Sequence, residues 1–439
     1  MTLSPQRREQ IIGALRRGTV PESSLDVLAV GLERFEATLD DELDGVSRGG
    51  GAFKAVRGEY GSGKTFFARW FQERARSRGF ATAEVQISET ETPLHRLETV
   101  YRRLNERLAT RDAGPGALRA IIDGWFFTLE QDVLADGRVA PDDHQRVAAR
   151  TTELMEQRLA GVTRTAPALA AALRGYRQAL AQGQGHIADG LVAWIAGQPN
   201  VAASVKRSAG IRGDIDHFGA LSFLQGLLVI LRDSGYSGLL LVLDEVETLQ
   251  RVRGDVRERG LNALRQFLDE VDSGRFPGLY LVITGTAAFF DGPQGVQRLP
   301  PLAQRLHVDF ATEARFDNPR AVQIRLPGFT LDRLGDVGRK VRDIFMDGTA
   351  QPARVASVVD DAYVAELAQA VTGRLGGRVG IVPRLFLKKL VADVLDRVDQ
   401  FPDFDPRRHY ALTLADAEMT VVERSASAAG HVDEIELDT

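Results

Sequence analysis

The sequence predicts an α/β fold: a parallel sheet around a glycine-rich loop, a large helical insertion, and a helical lid toward the C-terminus. Three observations carry this expectation. Apolar runs such as Leu239–Leu243 and Leu279–Ile283 read as strands buried on both faces. Segments of helical period separate them, the pattern of a parallel sheet covered on both sides. A glycine-rich stretch around Lys64 stands between a short apolar strand and an apolar-faced helix. At 439 residues the chain exceeds one compact core, so two or three domains are expected.

In chain order, the first 50 or so residues read as helices, with Leu32, Phe35, Leu39 and Leu43 forming one apolar face. The glycine-rich joint Ser47–Phe53 follows, then a strand over Phe53–Arg57, the loop, and a helix from Lys64 to about Arg78, where Gly79 ends it. Ala81–Ser88 alternates like a strand. Helices then dominate: Leu118, Ile121, Ile122, Trp125, Leu129 and Val133 recur at helical spacing, and further helices are expected near 152–160, 167–181 and 186–195. Buried strands are expected within Gly238–Leu249, Gly278–Thr286 and Ala321–Phe329, and helices again from Leu331 to about Asp399. The expected division is an N-terminal helical segment (1–50), a core (51–330) with a helical insertion at about 105–215, a lid (331–400) and a short C-terminal segment (401–439) ending in the acidic HVDEIELDT.

Composition narrows the function. Hydrophobic residues make up 44% and charged residues 26%, as in ordinary globular proteins. A net charge of -5 argues against nucleic-acid binding by bulk charge, which leaves local basic faces open. The absence of cysteine excludes disulfides, thiolate metal sites and thiol nucleophiles, and suits a reducing compartment. The start lacks the apolar core of a signal peptide, and no apolar run is long enough to span a bilayer. A soluble cytoplasmic protein is expected. The histidines, His95 among them, show no metal-ligand spacing and read as structural or surface residues.

The chemistry begins at Gly58-Glu59-Tyr60-Gly61-Ser62-Gly63-Lys64-Thr65, a full match to G-x-x-x-x-G-K-[ST] in its required strand–loop–helix context. Glycines let main-chain amides wrap a phosphate, and the helix start adds unpaired amides and the positive end of its dipole. Lys64 would reach the β- and γ-phosphates, and the Thr65 hydroxyl would hold Mg²⁺. Phe66, Phe67, Trp70 and Phe71 read as core, with Phe66 close enough to Thr65 to count also among the nucleotide-binding residues. Asp244 and Glu245 end an apolar strand, the edge at which α/β sheets bind ligands. Asp244 would order the Mg²⁺ ion, and Glu245 would activate the water attacking the γ-phosphate. Glu247 reads as an acid near a helix start. Thr284, at a strand end, could bond the γ-phosphate or the attacking water, with Thr286 as second candidate; a threonine that bonds its own backbone is the alternative. Arg305, in PPLAQRL, could reach a neighbouring subunit's γ-phosphate, and Arg384, after Pro383, could stack over the phosphates from the lid. No guanine-specific motif is visible, so ATP is the expected nucleotide.

Taken in order, the glycine loop, LVLDEVE, Thr284, Arg305 and Pro383-Arg384 resemble the motif series of AAA+ ATPases. Val30-Gly31-Leu32-Glu33 resembles the adenine-contacting segment that precedes an AAA+ core. More closely, LRRGTVPESSLDVLAVGLERF, VRGEYGSGKTFFARW, VQISETETPLHRLETVYRRL and GLLLVLDEVETL resemble the BrxD-type ATP-binding proteins of BREX phage-defence systems, over most of the chain from about Ala14 to Val398. Two features depart from the AAA+ pattern. About 180 residues separate Lys64 from Asp244, which calls for the helical insertion. Only about 40 residues follow the lid, short for the winged-helix DNA-binding domain of origin-recognition relatives.

Two functions stay open at this level. One is an ATPase that binds ATP at a subunit seam and remodels or loads a partner or DNA. The other is a nucleotide-gated assembly module with negligible turnover. Arg7, Arg8, Arg16 and Arg17, with Lys206, Arg207 and Arg212 in the insertion, are the candidate DNA contacts. Self-association on ATP is expected, and the resemblance implies a helicase or methyltransferase companion in a defence operon.

Overall fold

The computed structural model describes residues 3–374 and 382–412. Its centre is a five-stranded, all-parallel sheet of β1 (Ala52–Arg57), β2 (Ala81–Gln86), β3 (Leu239–Asp244), β4 (Leu279–Gly285) and β5 (Gln323–Arg325), in the order β2-β3-β4-β1-β5. Strands alternate faces. Leu239, Leu241 and Leu243 pack to one side with Leu279, Leu281 and Ile283, whereas Leu240 and Val242 pack to the other with Tyr280 and Val282.

On that second side lie α2 (Glu33–Ser47) and α3 (Lys64–Ser77), whose Phe35, Phe67, Trp70 and Phe71 fill the space above the sheet as expected for core residues. On the first side lie α4 (Leu97–Arg107), α10 (His217–Asp233) and α11 (Gly254–Asp272). Between α4 and α10 the chain runs through five helices: α5 (Leu118–Ala135), α6 (His144–Thr165), α7 (Pro167–Ala181), α8 (Gly185–Ile195) and α9 (Ala203–Ser208). Their core, with Trp125, Leu159, Tyr176 and Trp194, is continuous with the core against the sheet. The Trp125 indole donates to Asp233 of α10 at 2.6 Å, which fixes the first insertion helix to a helix of the core.

After β4 come α12 (Ala287–Asp291) and α13 (Pro300–Leu306). The strand expected within Ala321–Phe329 shrinks to three residues. It is an edge strand, pairing only with β1, and Pro327 lacks the amide to extend a ladder. Beyond it, α14 (Leu331–Met346), α15 (Pro352–Val358), α16 (Asp361–Arg374) and α17 (Val382–Lys388) lead into a π-helical stretch, Lys389–Leu395, and α18 (Asp396–Gln400). These helices form their own apolar cluster around Leu334, Val341, Phe386, Leu390 and Val394. The N-terminal helix α1 (Pro5–Arg17) joins that cluster through Ile11, Ile12 and Leu15, and Arg16 pairs bidentately with Asp396 at 2.6 and 2.9 Å. No helix among the described residues is long and apolar enough to cross a membrane. The acidic segment HVDEIELDT lies outside the described residues.

Lys54 is buried within β1. Its ammonium donates to Glu42 at 2.7 Å and to the carbonyls of Pro319 and Ala321, and Glu42 also accepts from the Tyr280 hydroxyl. Removing one partner of a buried ion pair leaves a charge without compensation. Glu42→Ala is therefore expected to cost about 3–5 kcal/mol in the urea unfolding transition, and Glu42→Gln less, because the amide oxygen still accepts.

Candidate functional site

Parallel strands place all their C-terminal ends on one edge, so the segments after β1, β3 and β4 converge there. The loop between β1 and α3 turns through left-handed Gly61 and Gly63, conformations that side chains disfavour, and Gly63 caps α3. The amides of Gly61, Gly63, Lys64 and Thr65 have no acceptor among the described residues, and the buried Ser62 hydroxyl also lacks a partner. Unpaired donors curled around a helix start form an anion seat, and a phosphate fits it. The Lys64 ammonium donates to the carbonyls of Gly58 at 2.8 Å and Glu59 at 3.3 Å and stands 5.2 Å from the centre of the Tyr60 ring.

Opposite the loop, the Thr65 hydroxyl is 3.3 Å from one Asp244 oxygen, and Thr284 donates to the other. Thr284 thus orients the acid: its hydroxyl also accepts the Glu245 amide at 3.2 Å. Thr286 caps α12, accepting from the Phe289 amide. The facing oxygens of Thr65 and Asp244 suit a hard divalent cation that takes its remaining ligands from phosphate and water. Glu245 adopts φ 59° and ψ 43°, the left-handed region that a residue with a side chain enters at a cost. This turn carries its carboxylate to the end of β2, where the Gln86 amide donates to it at 2.9 Å.

A cavity of about 530 Å³ opens between this edge and helices α14 and α17. It is lined by Glu59, Tyr60, Gly61, Ser62, Gly63, Lys64, Thr65 and Phe66 from the loop and helix, by Asp244 and Glu245, by Val30 and Gly31, and by Arg384 of α17. Residues far apart in sequence thus meet at one site. Gly58 lies behind the loop as the acceptor of Lys64. Thr284 supports the site through Asp244, and Arg305 of α13 stands elsewhere, paired with Asp269 and Asp272 of α11.

An apolar wall, with Leu15, Val20, Leu28, Val30, Phe329 and Leu387, completes the lining. The segment before α2 is tied down by α3. Glu73 accepts the amides of Ser24 and Leu25 at 2.6 and 2.7 Å, and the Trp70 indole donates to Asp26 at 2.7 Å. Gly31 has φ 77°, and a Cβ there would stand 3.0 Å from the guanidinium carbon of Arg333 in α14. That close approach brings Arg333 into the cavity wall.

Sequence reading missed four contributors. Gln86 in its strand and Arg333 in its helix carry no motif, and only the third dimension shows what they face. Arg251 lines the cavity rim and donates to the Tyr60 hydroxyl at 3.2 Å. Glu247, expected to be a helix-start acid, is buried, with its carboxylate 3.7 Å from the Lys64 ammonium. Burial pushes its carboxyl above the ordinary range, against the pull of Lys64. The one signal in the sequence was a third acid within LDEVE.

Of the basic clusters, Arg16 is engaged with Asp396 and Lys206 with Asp214 at 3.0 Å. His95 sits beside Arg96 and Arg259, and burial with these cations lowers its pKa below the usual imidazole value.

A comparison with curated proteins finds no match. The sequence profile of a family described as BREX system ATP-binding protein BrxC/D matches residues 3–414, taking in the sheet, the loop and the helices on both sides of the cavity. With an anion-binding loop, a pair of metal-suited oxygens and an apolar pocket all inside that match, the chain belongs to the BrxC/D family of BREX system ATP-binding proteins.

Proposed function

We infer that the chain is a Mg²⁺-dependent AAA+ ATPase of BREX-type anti-phage defence, which acts in the cytoplasm and couples ATP binding and hydrolysis to remodelling or loading of a partner or of DNA. The observation that carries this reading is the convergence of Lys64, Thr65, Asp244 and Glu245 on one cavity edge. The sheet order β2-β3-β4-β1-β5, the helices inserted after β2 and the separate helical lid support the AAA+ assignment.

The residues divide the work. Loop amides and Lys64 would hold the β- and γ-phosphates, and the apolar wall with Val30 and Gly31 would take the adenine. Thr65 and Asp244 would hold Mg²⁺, which draws charge from the phosphate oxygens when bound. Glu245 would accept a proton from the water that attacks the γ-phosphorus, while Thr284 keeps Asp244 aligned. Arg384 and Arg333, both carried by the lid, would add positive charge over the triphosphate, so that closing the lid completes the site. Arg305 would serve a neighbouring subunit in an ATP-dependent homo-oligomer, exchanging its pairs with Asp269 and Asp272 for a phosphate.

The second reading, a nucleotide-gated assembly with negligible turnover, draws on the Gln86–Glu245 contact, which holds the proposed base by its carboxylate. Phosphate release and particle mass, followed together, separate the two. The ATPase reading expects release that requires Mg²⁺ and stops with EDTA, with a mass increase on ATP. A mass increase without release favours the gated assembly. Neither response would remove both readings.

A further inference from the structure

Glu247 has no part in the chemistry assigned above, yet it occupies the phosphate end of the cavity. It is 4% exposed, and neither carboxylate oxygen has a hydrogen-bond donor from another residue among those described. Its nearest cation is the Lys64 ammonium, 3.7 Å away. Lys64 in turn spends its donors on the Gly58 and Glu59 carbonyls, which belong to the same loop whose amides await an anion. The Tyr60 ring lies against the ammonium, and Arg251 fixes that ring by its hydroxyl. The lysine is thus folded back onto its own loop, with a buried carboxylate balancing its charge.

This arrangement opposes a triphosphate in two ways. The phosphates must draw the ammonium away from Glu247, and they must approach a buried negative charge in surroundings of low dielectric. Asp244 and Glu245 already place negative charge nearby, but Asp244 has Thr65 and Thr284 against it and Glu245 has Gln86. Beyond its own backbone amide, Glu247 has only Lys64.

We propose that Glu247 is a positioning residue that holds Lys64 in the folded-back, nucleotide-free arrangement and so weakens nucleotide binding. The proposal rests on the reading that this loop binds a nucleoside phosphate. It gives the site a built-in competitor for its own lysine. Product ADP, with fewer phosphate charges to hold Lys64 than ATP, is then the nucleotide most readily displaced.

Two measurements test it. The first is the affinity of the full chain for ADP in EDTA, which removes any role of Glu247 through a metal ion. Glu247→Gln is expected to lower the Kd by about tenfold, the size of one charged contact. An unchanged or raised Kd overturns the proposal. Removing a negative charge could also tighten binding by lifting repulsion alone, so the second measurement needs no nucleotide. Lys64→Met leaves Glu247 buried without its cation and is expected to lower the Tm by about 5 °C or more. The double variant Lys64→Met/Glu247→Gln is expected to recover most of that loss. A Lys64→Met protein with unchanged Tm, or a double variant that recovers nothing, shows that the two are not counter-ions and overturns the proposal. Wild-type protein that binds no ADP would instead remove the functional reading beneath it, while the melting comparison still reports on the pair.

Discussion

Glu245→Gln is expected to slow phosphate release by about 100-fold or more while leaving ATP affinity within a few-fold of the parent, since losing a positioned general base costs on the order of 10²–10⁴ in rate. The substitution keeps the shape of the side chain. It also keeps an oxygen able to accept from Gln86, the contact that holds Glu245 at 2.9 Å. The residue's left-handed backbone and its amide bond to Thr284 involve no side-chain atom of residue 245, so the substitution leaves them alone. What disappears is the ability to take a proton. Single-turnover phosphate release, measured beside equilibrium ATP binding, separates that loss from a loss of affinity. An unchanged rate would move the base elsewhere, and the buried acid Glu247 is the next carboxylate on that edge.

The second large effect concerns binding. Lys64→Met is expected to weaken ATP and ADP affinity by about 100-fold or more, because charge-assisted contacts to phosphate are roughly twice as strong as neutral ones and Lys64 supplies them inside a shielded cavity. The loop amides would remain, so some affinity for phosphate should survive. Thermal melting with increasing ATP provides the check: ligand that binds only the folded chain raises the Tm in proportion to the logarithm of its concentration over Kd. The parent should shift steadily through the millimolar range, and the variant should stay flat until far higher concentrations. Equal shifts in both proteins would mean that the nucleotide lies elsewhere, and the functional reading would fail with it.

Much of this architecture was legible because it rests on local patterns. The runs at Leu239–Leu243 and Leu279–Ile283 could only be strands buried on both faces, and the structure buries every residue of β3 and β4. The glycine loop announced itself through residues whose backbone roles few others can fill. Helix α7 matches its expected bounds because Pro167 sets its start. Helix α6, expected near 152–160, begins at His144. Its first turn is polar and is fixed by Asp143 accepting the Arg146 amide, a capping contact that carries no apolar period.

What sequence could not carry is pairing across long separations. Gln86 gained a role only when β2 paired with β3, bringing residue 86 opposite Asp244. Arg333 carries no signal of its own in the sequence, and only its approach to Gly31 places it at the cavity. Glu247 does stand in the first turn of a short helix, as an acid soon after a strand suggests, but nothing in the sequence showed its burial against Lys64. Here the chain makes a turn of 3-10 helix over Val246–Gln250 that points the acid inward. Thr284 was expected at the phosphates or the water. It lies one layer behind, because a completely buried hydroxyl beside Asp244 finds the carboxylate first.

The shared apolar cluster of α1 and the C-terminal helices has a mechanical consequence. Polypeptide passes between that body and the sheet twice, once between Arg17 and Leu25 and once between Arg325 and Leu331. A body joined by one strand can swivel in any direction, whereas two separated attachments restrict it to rocking about the line through them. Both attachments border the cleft, the first through Val20 and Pro21 and the second through Leu326, Pro327 and Phe329. Rocking about this axis would open or narrow the cleft like a door on two pins.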